Sequence, residues 1–234
     1  MREILPGKDR RRASRIAAMI ALALLAAPPY AMAQDAGEAQ GIVDKSRVTF
    51  ENFMRQKNFE WMQDNLKNVK GLLIFPQVLK AGFFLGGSGG TGVLVARDAG
   101  TGGWSQPAFY TLGAVSFGLQ FGGEASETIV MVMTQKALDS LFTSKFKLGG
   151  DVSVAAGPVG AGAKSNVTAD FISFSMAKGL FAGVSLEGAV IDVRDTLNEA
   201  YYGKKVDPTD IIVKKAVSNG GSAALRDALG KAVK

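Results

Sequence analysis

The chain has 234 residues, of which 47% are hydrophobic and 21% charged, a composition typical of a compact folded domain rather than a disordered segment. It contains no histidine and no cysteine, which excludes disulfides, thiol chemistry, Ser-His-Asp and Cys-His triads, and the usual zinc and haem ligands. Its net charge is +6, but six basic and two acidic residues lie in residues 1–33, so residues 34–234 carry only +2, too little to indicate nucleic-acid binding.

Residues 1–33 have the pattern of a secretory signal peptide. Six of the first fifteen residues are basic, the apolar run IAAMIALALLAAPPY follows, and Ala31-Met32-Ala33 offers a small-residue cleavage step. The run is shorter than the ~20 residues that span a bilayer. We expect cleavage after Ala33 and a periplasmic protein, peripheral to a membrane or secreted. Arg11-Arg12 suggests twin-arginine export, but the residues that follow favour the general secretory route.

Residues 34–69 are predicted to form an amphipathic helical segment. They are rich in helix formers, and apolar residues from Ile42 to Val69 recur mostly at three- and four-residue steps. This spacing places the apolar side chains on one helical face, which indicates one or two amphipathic helices.

Residues 70–203 are glycine-rich and are predicted to form a β core. Short β-branched or aromatic runs such as GLLIF, TIVMVMT and ADFISFSMAK are separated by turn residues, and several alternate. The pattern predicts an α+β fold built on a curved antiparallel sheet, either sandwich-like or barrel-like. One helix interrupts the sheet at QKALDSLFTSK, with Thr134 as its N-cap.

Residues 204–234 return to a helical pattern. Asp207-Pro208 offers a helix start, Asn219-Gly220-Gly221 a stop, and Ser222 a cap for AALRDALGKAV. Helices this short are not stable alone, so both terminal segments are expected to pack on the sheet, making residues 34–234 a single domain.

The stretch FFLGGSGGTGVLVARD contains the spacing Gly87-x-Gly89-x-x-Gly92 of a dinucleotide-binding loop. Such a loop needs a helix directly after it and an acidic residue about 20 positions further on. Here the β-branched run from Val93 follows, and Asp98 comes too soon. We therefore expect no nucleotide, and we interpret the glycines as positions where a bent sheet needs close backbone approach or bulges.

Three other motifs suggest catalysis or metal binding. Ser175-x-x-Lys178 matches the motif of penicillin-recognising enzymes, but no S-D-N or K-T-G accompanies it and it lies in a strand-like run. The pairs Glu124 with Glu127 and Asp192 with Asp195 have the composition of a glycosidase acid and base, but they are equally typical of solvated loops. DVRDTLNEA lacks the regular ligand loop of a calcium site. We expect no enzyme activity, metal or other cofactor.

Long blocks of the chain resemble the SYLF-domain family. They are KGLLIFPQVLKAGFFLGGSGGTGVLVARD, GWSQPAFYTLGAVSFGLQFGGEASETIVMVM, ALDSLFTSKFKLGGDVSVAAGPVG, SFSMAKGLFAGVSLEGAVI and NEAYYG. The resemblance covers about residues 40–233. It implies a non-enzymatic lipid-binding domain, since eukaryotic members bind phosphoinositides and some associate with actin, which would be a partner here only inside a host cell.

In a bacterial envelope the resemblance implies binding of anionic phospholipid or a membrane surface through basic residues and an aromatic edge. The family's membrane-contacting helix corresponds to residues 42–69. The residues expected to bind lipid are Lys67, Lys70 and Lys80 for headgroup charge and Phe53, Trp61, Phe83 and Phe84 for apolar contact. Further lysines follow the middle helix and cluster at Lys204, Lys205, Lys214 and Lys215.

Two alternatives remain open. In the first, the chain is a structural or protein-interaction module of the envelope without a lipid ligand. In the second, it is a serine hydrolase that uses Ser175 and Lys178. A small outer-membrane barrel is disfavoured, because the chain ends in the basic sequence GKAVK after a helix.

Overall fold

The computed structural model describes most of the chain after the predicted leader. The described residues are 29–82, 85–98, 100–117, 122–143, 145–150, 152–162, 167–177, 180–183 and 186–233. The chain divides into the units Met1–Gln34 and Asp35–Lys234. Apart from the first residues of one helix, everything described below belongs to the second unit. The signal peptide lies almost wholly outside the described residues and stays a prediction.

Helices lie at both ends of the second unit and one interrupts the strands, as predicted, but a further helix at Asp195–Tyr202 lies within residues 70–203, for which only one helix was predicted. They are α1 (Pro29–Arg55), α2 (Glu60–Asn65), α3 (Gln135–Ser140), α4 (Asp195–Tyr202) and α5 (Ala223–Ala232). Single 3₁₀ turns occupy Lys57–Phe59, Leu66–Asn68 and Gly220–Ser222, and a π-helical turn occupies Thr209–Val213. Within the described ranges, no helix is long and apolar enough to cross a membrane.

The strands form one curled, half-barrel-like sheet, which confirms the predicted α+β class. They are β1 (Gly71–Gly82), β2 (Leu85–Ala96), β3 (Ala108–Phe117), β4 (Gly122–Val132), β5 (Lys145–Lys147), β6 (Val154–Ala156), β7 (Phe171–Ala177), β8 (Leu180–Gly183) and β9 (Val190–Val193). The order is β5-β9-β3-β2-β1-β4-β7-β6, with β8 also paired to β7. All pairs are antiparallel except β6 with β7, which is parallel.

Both faces of the central strands are covered. On one face, Ile74, Val93 and Ile129 pack with side chains of α1, α2, α4 and α5. On the other, Leu73 and Leu94 pack with α3, the π-helical turn and the loops beside β5 and β9. Double coverage explains why the central strands are nearly continuous apolar runs rather than strictly alternating ones. The two cores therefore cover both sides of the central sheet.

The glycines of the dinucleotide-like motif lie inside β2, opposite a bulge in β1. The register of β1 shifts between Ile74 and Leu79. A β-carbon on Gly92 would lie 2.7 Å from Phe75 Cδ1 and 2.9 Å from the carbonyl carbon of Ile74. A β-carbon on Gly90 would lie 3.1 Å from the Cα of Val78. Close backbone approach at a bulge, the interpretation made from sequence, accounts for Gly90 and Gly92, whereas a β-carbon on Gly87 or Gly89 would make only ordinary contacts, at 3.9 and 3.4 Å.

The NEAYYG block holds the start of β3 in place. The side-chain oxygen of Asn198, a fully buried residue, accepts the Phe109 N–H at 2.9 Å. The Tyr202 hydroxyl donates to the Pro107 carbonyl at 2.6 Å, and Gly203 ends α4 with a φ of +70°. A buried backbone amide without a partner costs ~1–3 kcal/mol, so this block has a structural role.

The two helix caps predicted from sequence have different outcomes. Thr134 caps α3 as predicted, since its hydroxyl accepts the Ala137 N–H at 3.2 Å. Ser222 occupies the N-cap position of α5 as predicted, but its side chain accepts no amide of that helix. Its hydroxyl donates instead to the Asn219 carbonyl and to the side chain of Gln106, at 2.9 and 2.8 Å. A contact 116 residues away in sequence therefore replaces the local cap.

Asp170 ties the start of α3 to the loop before β6. Its carboxylate accepts the Thr134 hydroxyl at 2.5 Å and the Ser153 N–H and hydroxyl at 2.9 and 3.0 Å. The Thr134 hydrogen bond is the largest cause that lowers the pKa of Asp170, followed by the bond from the Ser153 amide. Three donors thus favour the ionised carboxylate.

The lowered pKa of Asp170 predicts a pH-dependent contribution to stability. Because the folded pKa lies below the ordinary value of about 3.9, the stabilisation is present above that pH and is lost as the pH falls through the folded pKa. We expect Asp170→Asn to lower the free energy of unfolding at pH 7 by roughly 1–2 kcal/mol, after allowance for solvent exposure. Urea titrations between pH 7 and pH 2 measure it. A pH slope unchanged from the parent, with Asp227→Asn as the exposed control, would contradict the assignment.

Candidate functional site

The aromatic residues predicted to contact lipid lie in the core where the structure describes them. Phe53 is fully buried and stacks on Phe59, with ring centroids 4.4 Å apart and planes at 21°. Trp61 is half-buried, and its ring lies 6.2 Å from that of Phe174. Phe83 and Phe84 lie outside the described residues. Core packing therefore accounts for Phe53, and the lipid-binding assignment of the set stays a prediction.

The lysines predicted to bind headgroups do not form one cluster. Lys67 and Lys70 are exposed just before β1, whereas Lys80 is near its far end, opposite Ser88 of β2 and Glu124 of β4. Ten residues of strand separate Lys70 from Lys80, or roughly 30 Å at ~3.3 Å per residue. A single small ligand therefore cannot contact both ends of β1 at once.

Arg97 joins Lys67 and Lys70 at the near end of β1. Its guanidinium donates from Nη1 to the Lys67 carbonyl at 2.6 Å, and its backbone N–H donates to the Lys70 carbonyl at 2.8 Å. Arg97 was not among the residues expected from sequence to bind headgroups, because no local pattern indicates that the end of β2 lies beside the residues preceding β1.

Asp98 connects this group to the C-terminal tail. Its carboxylate accepts the backbone N–H groups of Gly100 and Thr101 at 2.9 and 3.1 Å, and it forms an ion pair with Lys215. The hydrogen bond from Lys215 is the largest cause that lowers the pKa of Asp98 to about 2. Lys215 has a φ of +51°, a left-handed conformation unusual for a residue with a side chain. The turn at residues 100–103 and the segment around Lys215 are thus held together by the carboxylate of Asp98.

The tail contributes further lysines around the π-helical turn. Lys214 donates to Asp210 at 2.8 Å, which lowers the pKa of Asp210 and raises that of Lys214. Lys204 donates to the carbonyl of Ala216 at 3.5 Å, and Lys205 follows it in the chain. Four of the six lysines in residues 204–234 therefore lie around one turn, next to Arg97 and Asp98.

We call this surface the basic end. Its basic residues are Lys67, Lys70, Arg97, Lys204, Lys205, Lys214 and Lys215, and its carboxylates are Asp98, Asp207 and Asp210. Seven basic residues against three carboxylates leave an excess of four positive charges. The remainder of residues 34–234 has fourteen basic and sixteen acidic residues, a net charge of −2. Charge is therefore segregated to one end of the sheet, although the whole of residues 34–234 is close to neutral.

One apolar side chain is exposed among these charges. In the part of the chain that the structure describes, the large exposed apolar residues are Val48, Leu79 and Val213, and Val213 is the most exposed at 56%. It directly precedes Lys214 and Lys215, whose side chains are 61% and 63% exposed despite their ion pairs. The basic end thus combines accessible ammonium groups with an apolar contact point.

An open groove lies away from the basic end, between α1 and the bulge of β1. Its part beside β4 has a volume of about 490 Å³ and includes Lys45, Val48 and Glu127. Glu127 accepts the Thr49 hydroxyl at 2.9 Å and the Asn52 amide at 3.3 Å. The groove therefore presents a carboxylate that α1 already satisfies, rather than a free acid or base.

The other catalytic candidates are also engaged in structural contacts. Ser175 lies in β7 and is 8% exposed, and its hydroxyl donates to the Glu127 carbonyl at 3.2 Å. Lys178, its proposed partner, lies outside the described residues. Asp192 faces Lys145 at 3.7 Å across the β5–β9 pair. The searched part of the chain, which leaves out the undescribed residues, has no group of three or more acidic side chains that could hold a metal ion.

A protein-family model matches the second half of the chain. The Ysc84 family model, described as "Las17-binding protein actin regulator", matches residues 113–232, just over half of the chain. The match begins in β3 and continues to the end of α5. It includes the four tail lysines of the basic end but neither Arg97 nor the residues preceding β1.

Several curated proteins are similar to the chain. An SH3 domain-containing protein of Schizosaccharomyces pombe is 41% identical over 145 residues, which is 58% of this chain and 33% of that protein. LAS seventeen-binding protein 3 of Saccharomyces cerevisiae is 40% identical over 149 residues, 60% of this chain and 32% of that protein. The human SH3 domain-containing YSC84-like protein 1 is 33% identical over 152 residues, 63% of this chain and 44% of that protein.

The chain thus spans about a third to less than half of the length of these relatives. The activities and partners in their names belong to the whole proteins. No solved structure matches the chain.

Proposed function

The chain belongs to the Ysc84 family, also called the SYLF-domain family, and from that premise we propose that it is a non-enzymatic module that binds a protein partner. The basic end is the observation that supports this proposal best. It gathers cations from three separate parts of the chain, around one exposed apolar residue. Its carboxylates Asp98 and Asp210 are ion-paired with lysines, so they are poor candidates for general acids or bases.

Phospholipid binding, the expectation from sequence, is the second candidate. Exposed lysines at the basic end support it, because anionic membranes attract basic side chains at ~1 kcal/mol each near the surface. The family description, in contrast, names Las17 and actin rather than a lipid. The buried position of Phe53 also removes one of the expected apolar contacts. We therefore place a protein partner first.

Binding measurements on the purified chain test the proposal. The chain is incubated separately with filamentous actin, with immobilised Las17, and with vesicles of phosphatidylglycerol or of phosphatidylcholine alone. We expect saturable binding to at least one of the two proteins at 100 mM salt and weaker binding to either vesicle. Binding to anionic vesicles with none to either protein would replace the proposal by the lipid candidate. Binding to none of these would overturn both.

A serine hydrolase remains testable through Ser175. Because its hydroxyl is buried and donates to a backbone carbonyl, we expect no labelling by a fluorophosphonate or penicillin-type probe. Mass spectrometry of the treated chain and of Ser175→Ala measures this. Labelling of the parent that disappears in Ser175→Ala would show a reactive serine and contradict the non-enzymatic assignment.

Export to a bacterial envelope is part of the proposal and rests on residues 1–33 alone, so actin or Las17 would be met as a partner only after delivery into a host cell. Removal of these residues would leave α1 to begin at Gln34, so most of the helix would remain. The intact mass of the protein recovered from the producing cells reports whether cleavage occurs after Ala33. An uncleaved chain recovered from the cytoplasm would remove the envelope from the proposal.

A further inference from the structure

We propose that the basic end binds an acidic segment of the partner protein, in which carboxylates flank an apolar residue. This inference rests on the proposed function and specifies its site and the chemistry of its ligand. The ligand carboxylates would pair with Lys204, Lys205 and Lys214, and the apolar residue would cover Val213.

Charge segregation supports an anionic ligand. The basic end has an excess of four positive charges, whereas the rest of residues 34–234 has a net charge of −2. An uneven distribution of this kind steers oppositely charged ligands toward one surface, and it repels them from the remainder of the molecule. The small net charge of the whole domain hides this property.

The lysines of the basic end remain able to bind although some are paired. The side chains of Lys214 and Lys215 are 61% and 63% exposed. An ammonium group has three donors, and an ion pair with one carboxylate oxygen occupies one of them. The existing pairs with Asp210 and Asp98 therefore leave donors that face solvent.

The same ion pairs restrict the positions of two of the cations, Lys214 and Lys215. Asp98 binds Lys215 while it accepts two amides of its own turn, and Asp210 binds Lys214 four residues along the chain. Lys204 is held by a carbonyl of the following segment. Side chains ordered before binding lose less conformational entropy when the ligand arrives, which favours affinity.

The mixture of charges favours a protein segment over a membrane. Three carboxylates lie among the seven basic residues, so the surface carries both signs of charge. A peptide with fixed spacing can place its carboxylates on the lysines and avoid Asp98, Asp207 and Asp210, whereas a uniformly anionic lipid surface meets both signs at once. A single exposed valine also offers a contact for one side chain but little area for insertion into a bilayer.

A synthetic peptide provides the probe. We would measure fluorescence anisotropy of a labelled twelve-residue peptide of glutamate with a central leucine, and of the same peptide with glutamine in place of glutamate. We expect the full chain to bind the acidic peptide at 50 mM salt and to lose about tenfold or more in affinity at 300 mM, as surface charge pairs do when screened. The glutamine peptide is expected not to bind.

Two matched triple variants locate the site. The first variant removes three charges from the basic end and combines Lys204→Gln, Lys205→Gln and Lys214→Gln. The second removes three exposed charges elsewhere and combines Lys45→Gln, Lys57→Gln and Lys147→Gln. We expect the first to weaken peptide binding about tenfold or more and the second by less than about threefold. Circular dichroism melts of both variants confirm that they are folded.

Three outcomes would overturn the inference. The first is no binding of the acidic peptide at 50 mM salt, the second is equal weakening in both triple variants, and the third is binding to phosphatidylglycerol vesicles in place of the peptide. The protein that binds the parent chain in the binding measurements distinguishes failure of this inference from failure of the proposed function. If it binds the basic-end variant as tightly as the parent, this inference fails while the proposed function stands. If no protein partner binds the parent chain, the proposed function itself fails.

Discussion

Gly92→Ala is expected to lower the free energy of unfolding by about 3 kcal/mol or more, at the upper end of what overpacking costs. The new methyl group would collide with the Ile74 carbonyl across the β1–β2 pair and lie 2.7 Å from Phe75 Cδ1. The carbonyl belongs to the backbone of a paired strand and cannot rotate away. In a domain of about 200 residues this corresponds to a fall in melting temperature of roughly 6–12 °C.

Gly113→Ala is the matched control for this experiment. Gly113 lies in β3, which pairs with β2, yet no atom lies within 4 Å of the position its β-carbon would take. We expect a change within about 0.5 kcal/mol. Urea-induced unfolding followed by circular dichroism measures both variants. Equal effects of the two substitutions would show that glycine serves chain flexibility here rather than close approach at the bulge.

Phe53→Ala is expected to lower the free energy of unfolding by about 3–5 kcal/mol. Its ring is fully buried and stacks on Phe59, which in turn contacts Phe174 and Phe181 edge-on at 5.8 and 5.5 Å. Removing the ring leaves a cavity between α1, the 3₁₀ turn after it, and the sheet. The remaining aromatic rings cannot fill it without losing their own contacts.

Val48→Ala, on the same helix, separates this effect from a surface role. Val48 is 42% exposed, so we expect a loss below about 1 kcal/mol. Thermal unfolding of both variants gives the stability, and vesicle sedimentation at a temperature where both are folded gives the binding. A Phe53→Ala variant that is as stable as the parent but fails to bind vesicles would restore the lipid-contact role predicted from sequence.

Local patterns predicted the elements well because their physical causes act over a few residues. The three- and four-residue spacing from Ile42 to Val69 reports which side of a helix is apolar, and Thr134 reaches an amide only three residues away. The unsuitability of Gly87–Gly92 for a nucleotide likewise followed from the strand-forming residues next to it. The absence of histidine and cysteine limits the available chemistry by composition alone.

No local sequence pattern predicted the contacts between distant parts of the chain. Ser222 has the composition of a cap, but Gln106 lies close enough to take its hydrogen bond. Lys67, Lys70 and Lys80 are near in sequence, yet the extended path of β1 places Lys80 at its opposite end. Proximity in sequence therefore did not indicate which cations lie together, and headgroup binding by these lysines stays a prediction.

Residue types and their spacing indicated the α+β class and limited the catalytic inventory, and the resemblance of long sequence blocks indicated the family. The pairing of strands and the packing of the tail decided where charge accumulates. Lys215 meets Asp98 across 117 residues, and Arg97 meets Lys67 across 30. Such distances depend on strand register and on which face each helix covers, and these arise only when the whole domain has folded.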